Sequence, residues 1–283
     1  MPELPEVETV RRRLDPALAG RTIVAAEILD PRLTRPHDPG EVAGELAGEA
    51  IAEVGRRGKY LLIRLASGAT IVSHLRMTGN FVLGDPDELH RLAFLRARLE
   101  LSDGSGVAYT DIRRFGTWDV MADRAAEEAY IAARLGPEPL SDAFTPIVLR
   151  LALARRAAPI KAVLLDQSVV AGVGNIYADE ALHLARIHPR TEARRLSGPK
   201  VVALTDAVRS VLELGIEAQG ASIRDYRAPD GAAGSMQERF HAYGLTGEPC
   251  GRCGTAIRRI VVGGRATHFC PRCQRLPRSP RRS

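Results

Sequence analysis

No stretch of the 283 residues approaches 18 consecutive apolar positions, which excludes a membrane-spanning helix of ordinary length. The first residues lack the basic stretch and apolar core of a secretory leader, and a cytoplasmic protein is expected. Internal repeats are missing, and the only biased tract is an Arg/Pro/Ser tail. Lysine is scarce: Lys59, Lys161 and Lys200 are the only three among 40 basic residues. Arginine does not lose its proton in a protein, whereas lysine can when its surroundings lower its pKa. The few lysines are therefore worth checking for chemistry, although Lys200, in Ser197-Gly198-Pro199-Lys200, reads as a surface residue. Acidic residues are absent from Cys250 to Ser283, where nine arginines fall. The whole chain carries +6, so the remainder carries −3, and the basic excess near the C-terminus points to a polyanionic partner.

What is present divides into blocks. Val7, Val10, Leu14 and Leu18 recur on one helical face that Gly20 ends. Short strand-like runs follow at 22–29, 49–54, 60–65, 70–75, 80–83, 95–101, 107–110 and 117–121, punctuated by Gly, Asp and Pro. Many short strands at this spacing predict a sandwich or flattened barrel. A helix is expected over 124–135, and Gly136-Pro137-Glu138-Pro139-Leu140 reads as a linker. From Thr145 the periodicity turns helical, over 145–155, 160–165, 176–184 and 198–218. Residues 225–234 are rich in Gly, Ala, Pro and Asp and predict a mobile loop. The fold class is therefore α+β and multidomain. The expected boundaries are a β domain with an N-terminal helix over 1–135, a helical domain over 136–225, a loop and connector over 226–240, a cysteine module over 241–276 and a basic tail over 277–283.

The strongest local signal is Cys250-x2-Cys253-x16-Cys270-x2-Cys273, which uses every cysteine in the chain. Two such pairs with a hairpin between them have the spacing of a four-thiolate zinc site. No ligand position is left open, so one structural Zn2+ is expected; two disulfides are the alternative, disfavoured in a reducing compartment. A Gly263-Gly264 turn would present Arg265 outward, where it could grip phosphate. Gly172-Val173-Gly174-Asn175 leads into a helix, and backbone amides there make a phosphate seat. No βαβ unit surrounds it, which argues against a dinucleotide fold. Arg56-Arg57-Gly58-Lys59-Tyr60 carries a basic cluster through a turn, with a solvated hairpin tip as the plain alternative. Two loops, His74–Gly79 and Asp111–Gly116, set an apolar residue (Met77, Phe115) among polar ones, as wedges into a base stack require. Taken singly, such side chains are more often core residues. The first eight residues hold two prolines and three carboxylates. With Met1 removed, Pro2 would carry a free secondary amine, and an α-amino group titrates at roughly 7.7–8.0. Such an amine can attack an electrophilic carbon and form an imine, with Glu3 beside it as acid or base. Alternatively, Pro2 and Pro5 simply lead into a helix whose dipole Glu6 and Glu8 complement.

Together, Pro2–Thr9, Arg57–Tyr60, His74–Gly79, Asp111–Gly116, Leu135–Leu140, Gly172–Ala178, Tyr243-Gly244-x2-Gly247-x2-Cys250 and the four cysteines resemble the formamidopyrimidine-DNA glycosylases from end to end. The resemblance implies a two-layered β-sandwich with flanking helices, a helix–two-turn–helix domain and a C-terminal β-hairpin zinc finger. It also implies a base-excision enzyme that removes 8-oxoguanine and formamidopyrimidines from damaged double-stranded DNA, then cuts the strand by β,δ-elimination. A monomer, with no membrane partner, is expected. By resemblance Pro2 is the nucleophile at C1′ and Glu3 the acid that opens the sugar. Lys59 and Arg265 act in β- and δ-elimination while holding phosphate. Asn175 and His74 hold phosphates; Met77, Arg113 and Phe115 fill the gap left by the flipped base. Arg156 and Lys161 fall where the family places basic DNA contacts, and the loop near 227–234 would cover the everted base.

Three residues depart from the family pattern. Arg76 stands where Gly is usual and Ile112 where Pro is frequent, and Phe94 or a neighbour occupies the place of a typical DNA-contacting His, with His90 nearby. All three bear on lesion and opposite-base preference, not on the nucleophile. Two rival readings are an endonuclease VIII-like enzyme for oxidised pyrimidines, against which Leu4 argues because that branch typically has Gly there, and a catalytically silent zinc-ribbon DNA-binding protein.

Overall fold

The amphipathic stretch near the N-terminus forms helix α1, Leu4–Leu18, with Glu3 as its N-cap and Pro5 in its first turn. Val7, Val10, Leu14 and Leu18 are completely buried, each worth roughly 1.5–3 kcal/mol on removal from water. The computed structural model describes residues 2–223 and 226–276. The expected basic tail over 277–283, Met1, and Asp225 at the start of the expected loop lie outside the described residues. By contacts the chain forms two units, one of residues 1–134 with 215–237, the other of 135–214 with 238–283. No helix among the described residues is long and apolar enough to cross a membrane.

In the first unit, α1 is followed by β1 (Ile23–Ile28), α2 (Pro39–Leu46), β2 (Ile51–Arg57), β3 (Tyr60–Leu65), β4 (Thr70–His74) and β5 (Gly79–Gly84). Then come α3 (Pro86–Leu89), β6 (Leu95–Leu101), β7 (Gly106–Asp111), β8 (Thr117–Met121) and α4 (Arg124–Ala132). The strands make two antiparallel four-stranded sheets, ordered β1-β6-β7-β5 and β2-β3-β4-β8. This is the expected two-layered sandwich. Its core takes Leu61, Ile63 and Ile71 from one layer and Phe81, Leu99 and Tyr109 from the other. Trp118 of β8 stacks on Phe81 of β5 at 6.0 Å, an aromatic contact between the layers.

Two helices escape the sequence reading. Each begins Asp-Pro: Asp38 caps α2 through Gly40 and Glu41, and Asp85 caps α3 through Asp87. The Asp-Pro pair looks like a turn, yet it is also an N-cap followed by proline at the first helical position. The expected mobile loop is tethered over its described part. Leu83 N–H donates to Pro229 O at 3.0 Å, and Arg13 of α1 pairs with Asp230 at 3.1 Å.

In the second unit lie α5 (Pro146–Leu153), α6 (Ile160–Leu164), α7 (Asn175–Leu184) and most of α8 (Gly198–Glu217), then the hairpin of β9 (Arg258–Val262) and β10 (Arg265–Phe269). The expected linker 136–140 is instead fixed to this unit. Gly136 N–H donates to Gln167 O at 2.8 Å, and Ala171 N–H donates to Pro137 O at 3.0 Å. Lys200, expected on the surface, donates from Nζ to Ala185 O and Arg186 O at 3.0 and 3.1 Å. A cation there satisfies orphan carbonyls at the C-terminal end of α7.

Candidate functional site

The backbone at the N-terminus of α1 is held from two sides. Pro2 and Glu3 are buried, Glu3 with 2% of its surface exposed. The Glu6 carboxylate, also buried, accepts the Glu3 N–H at 2.8 Å and the Ala221 N–H at 2.8 Å. Gly220 makes this approach possible, because its φ is +81° and a Cβ there would sit 2.8 Å from Glu6 Cγ. Glu6 thus fixes the residue adjoining Pro2 and ties it to the chain after α8; the sequence left its role open. Two residues on, burial pushes the Glu8 carboxyl up, but hydrogen bonds from Arg11, Arg12 and Arg56 outweigh it and hold it at about 2. Arg56 also donates to Gly58 O at 2.9 Å, so Glu8 links α1 to the β2–β3 turn.

That turn carries Lys59, which is 5% exposed and no solvated hairpin tip. Across the ladder Tyr60 pairs with His74. The His74 ring lies edge-on to Tyr60 at 4.7 Å. Burial, and then the charges of Arg76 and Lys59, hold its imidazole down at about 3, so it is neutral near pH 7. Its Nδ1 accepts the Arg76 N–H at 2.9 Å, which leaves the proton on Nε2 as a donor.

The loops bearing Met77 and Phe115 meet at Asp111, which is 1% exposed. Its Oδ1 accepts from Thr78 Oγ1 at 2.5 Å and from Arg113 N–H at 3.1 Å. Its Oδ2 accepts the N–H groups of Phe115 and Gly116 at 2.9 and 2.7 Å, and its own N–H donates to Phe94 O at 3.0 Å. Three non-glycine residues with positive φ flank this carboxylate: Arg76 (51°), Phe94 (61°) and Arg114 (57°). Backbone held in so sparse a region is stored strain, which gathers where function needs a fixed shape. The Arg113 guanidinium lies 4.7 Å above the Phe115 ring, and Phe94, Ile112 and Phe115 are each about half exposed. The Asp111–Gly116 stretch is conspicuous in the sequence; that its first residue organises both loops is not. His90 ends α3, exposed to solvent.

In the second unit, α7 is the platform for the cysteine module. The four sulfurs lie within 4.8 Å of one another, and Cys253 Sγ to Cys270 Sγ is 3.5 Å. All four cysteines are free, so the disulfide alternative is set aside. A tetrahedral zinc with bonds of about 2.3 Å spaces its sulfurs by about 3.8 Å, so the set fits one structural zinc ion. Asp179 Oδ2 accepts the His268 N–H at 2.9 Å. Glu180 accepts three successive N–H groups, from His241, Ala242 and Tyr243, at 2.8–2.9 Å. Gln274 is fully buried, bonded to Cys270 N–H and Ile187 O. Gly263 and Gly264, at φ +56° and +72°, make the tight turn that leaves Arg265 exposed at the start of β10.

One expected contact is corrected. Lys161 has no exposed surface; its Nζ pairs with Asp179 Oδ1 at 2.7 Å and donates to Ala266 O at 2.9 Å. A buried ammonium needs such partners, and with no exposed surface it presents nothing to a phosphate. It holds the strand next to Arg265 instead. Asn175, first residue of α7, also gives its Nδ2 to Ala266 O, at 3.1 Å. Arg156, partly exposed, pairs with Asp166 at 2.6 Å. Pro2, Glu3, Lys59, His74, Met77, Arg113 and Phe115 thus belong to the first unit, and Arg156, Lys161, Asn175, Arg265 and the four cysteines to the second.

Known proteins match this chain over nearly its whole length. Residues 1–118 match the formamidopyrimidine-DNA glycosylase N-terminal domain, 135–227 the formamidopyrimidine-DNA glycosylase H2TH domain, and 247–276 a zinc finger found in FPG and IleRS. A formamidopyrimidine-DNA glycosylase of Chloroflexus aggregans is 49% identical over 280 residues, covering 98% of this chain and 99% of the relative. One from Streptococcus pyogenes serotype M18 is 46% identical over 275 residues, covering 97% and 99%. A solved complex of Lactococcus lactis Fpg with DNA containing an abasic site superposes with a TM-score of 0.90 at 39% identity, covering 96% of this chain and 99% of that one. A structure of MutM with DNA containing carbocyclic 8-oxo-G gives 0.90 at 39% identity, covering 97% and 100%.

Proposed function

The chain belongs to the formamidopyrimidine-DNA glycosylase family, and we propose that it excises oxidised purines and then cuts the strand through an imine on Pro2. It is a base-excision DNA glycosylase for oxidised lesions, with damaged duplex DNA as its partner. The observation that carries the finer reading is the buried, doubly anchored Pro2-Glu3 step, coupled through Glu8 and Arg56 to the turn bearing Lys59. The reading requires that Pro2 be the first residue of the mature chain. Its lone pair then attacks C1′, the bond from C1′ to the base breaks, and the base leaves with a proton. Glu3 gives a proton to the ring oxygen, which opens the sugar and leaves an iminium at C1′. That charge acidifies the C2′ proton; its removal expels the 3′ phosphate, and a second elimination expels the 5′ phosphate. Lys59 and the His74 Nε2–H face phosphates beside the lesion, Lys59 also moving a proton. Arg265 grips phosphate from the finger and favours the second elimination. The zinc supplies structure only, through Cys250, Cys253, Cys270 and Cys273.

Borohydride reduction of a reaction on 8-oxoguanine duplex should yield a covalent protein–DNA adduct. Its absence under single-turnover conditions would remove the imine from the mechanism. Arg265→Ala should still be trapped, while its products shift from the β,δ product towards the β product.

Asp111 is a positioning residue in the same reading. Asparagine there keeps the shape but turns one acceptor into a donor facing N–H or O–H groups. Losing one charge-assisted hydrogen bond costs about 2 kcal/mol, or about 30-fold if it is all expressed in the step that flips the base. Excision from duplex should fall by that factor in Asp111→Asn. Trapping at a preformed abasic site, which has no base to extrude, should stay near the native rate. Equal losses on both substrates would mean general misfolding.

A further inference from the structure

One charged cavity has no assigned part in the chemistry above. Arg32 and Arg35 from the β1–α2 connection, Arg76 from the β4–β5 turn, and Arg114 from the β7–β8 loop line an open cavity of about 660 Å³, together with Met77 and Phe115. Arg114 is neutralised by Asp30 through two hydrogen bonds, at 2.6 and 2.8 Å. Arg32, Arg35 and Arg76 have no carboxylate partner among the described residues. In a chain with 34 acidic residues, three unneutralised guanidiniums around one cavity form a site for phosphate oxygens.

Strand order says where that cavity stands. At the ends of the second sheet Tyr60 pairs with His74, and His74 with Thr117. Beyond β8, Trp118 N–H donates to Leu33 O at 2.7 Å, so the Arg32–Arg35 segment continues the row. Neighbouring chains in such a row are about 4.8 Å apart, which puts Lys59 and Arg32 roughly 15 Å apart along it. Phosphate-binding side chains therefore occupy both ends, with Met77 and Phe115 between them. A duplex entered by a central wedge has one backbone on each side of it. We propose that Arg32 and Arg35 hold phosphates of the undamaged strand, opposite the lesion, so that the first unit grips both backbones at once. Arg76, beside Met77, lies between the two grips. The inference rests on the proposed assignment of Lys59 and His74 to the damaged strand.

The test is a binding cycle on duplex carrying a tetrahydrofuran abasic analogue, which requires no chemistry at Pro2. Methylphosphonates neutralise selected phosphates on one strand at a time. Neutralising those of the undamaged strand opposite the lesion should weaken the native protein about tenfold. The doubly substituted Arg32→Ala/Arg35→Ala protein should not respond to that change. Its plot of log affinity against log salt should also be shallower by about 2, near 0.9 for each phosphate that the two arginines no longer neutralise. The proposal is overturned if the variant responds to the undamaged-strand change as the native protein does, if its coupling falls on the damaged strand, or if its salt slope is unchanged. If native protein on 8-oxoguanine duplex gave no trapped adduct, the imine reading would fail without touching this result.

Discussion

Substituting Pro2 with glycine should all but abolish the borohydride-trapped adduct, and Glu3→Gln should slow base excision by about 10²–10⁴, the usual worth of a positioned general acid. The two losses have different causes. Glycine keeps a terminal amine but not a secondary one, and it frees the backbone that the proline ring fixes. The nitrogen then wanders, although Glu6 still holds the Glu3 N–H. Glutamine keeps the size of Glu3 and can still hydrogen-bond, but it has no proton to give the sugar oxygen. Glu3→Gln should therefore bind lesion duplex with native affinity while turnover collapses. The native rate should also rise with pH up to the amine pKa, roughly 7.7–8.0 before burial acts on it. A silent zinc-ribbon DNA-binding protein predicts no adduct from any of these chains. An unchanged trapping rate in Pro2→Gly would show that neither the secondary amine nor the proline ring is needed at the nucleophile.

Features set by local sequence were legible from the residues alone. The Val7, Val10, Leu14 and Leu18 periodicity forms a completely buried helical face. Strands β3, β6 and β8 fall where the strand-like runs and their flanking turn residues placed them. The cysteine spacing defines the metal site, because its geometry is carried by two short turns. Partnerships between distant residues were not legible. Lys161 reads as one more cation until Asp179 and Ala266, 18 and 105 residues away, are seen to bury it. Glu6 reads as a dipole partner until Ala221 N–H arrives from 215 residues away. Arg32 and Arg35 carry no motif; only strand order gives them a place across from Lys59. Asp111 stands inside a conspicuous motif, yet a carboxylate that fixes two loops looks no different in sequence from one on a turn.

Chelating the metal should weaken binding to lesion duplex about tenfold or more, and Arg265→Ala should add little once the metal is gone. The reason is how little else holds the module together. Its apolar cluster contains Cys250, Ile257 and Cys270, with Leu245, Cys253 and Cys273 at the margin. A segment this short cannot bury enough surface to fold alone, whereas structural zinc contributes on the order of 10–16 kcal/mol of folding free energy in small finger peptides. Without the ion, four thiols within 4.8 Å have no reason to stay together. The Gly263-Gly264 turn then no longer fixes Arg265, and with it goes a charge-assisted hydrogen bond worth about 1.5–3 kcal/mol. Docking on α7 will not rescue it. Lys161 and Asp179 hold Ala266 and His268 only while β10 exists to present them. Comparing native and Arg265→Ala proteins with and without chelator, with zinc release followed by a chromophore, separates the alternatives. Sub-additive losses accompanied by one zinc per chain support a finger that presents Arg265. Full affinity after complete zinc release would show that the module does not contact DNA, and fully additive losses would place the DNA-binding role of the zinc somewhere other than Arg265.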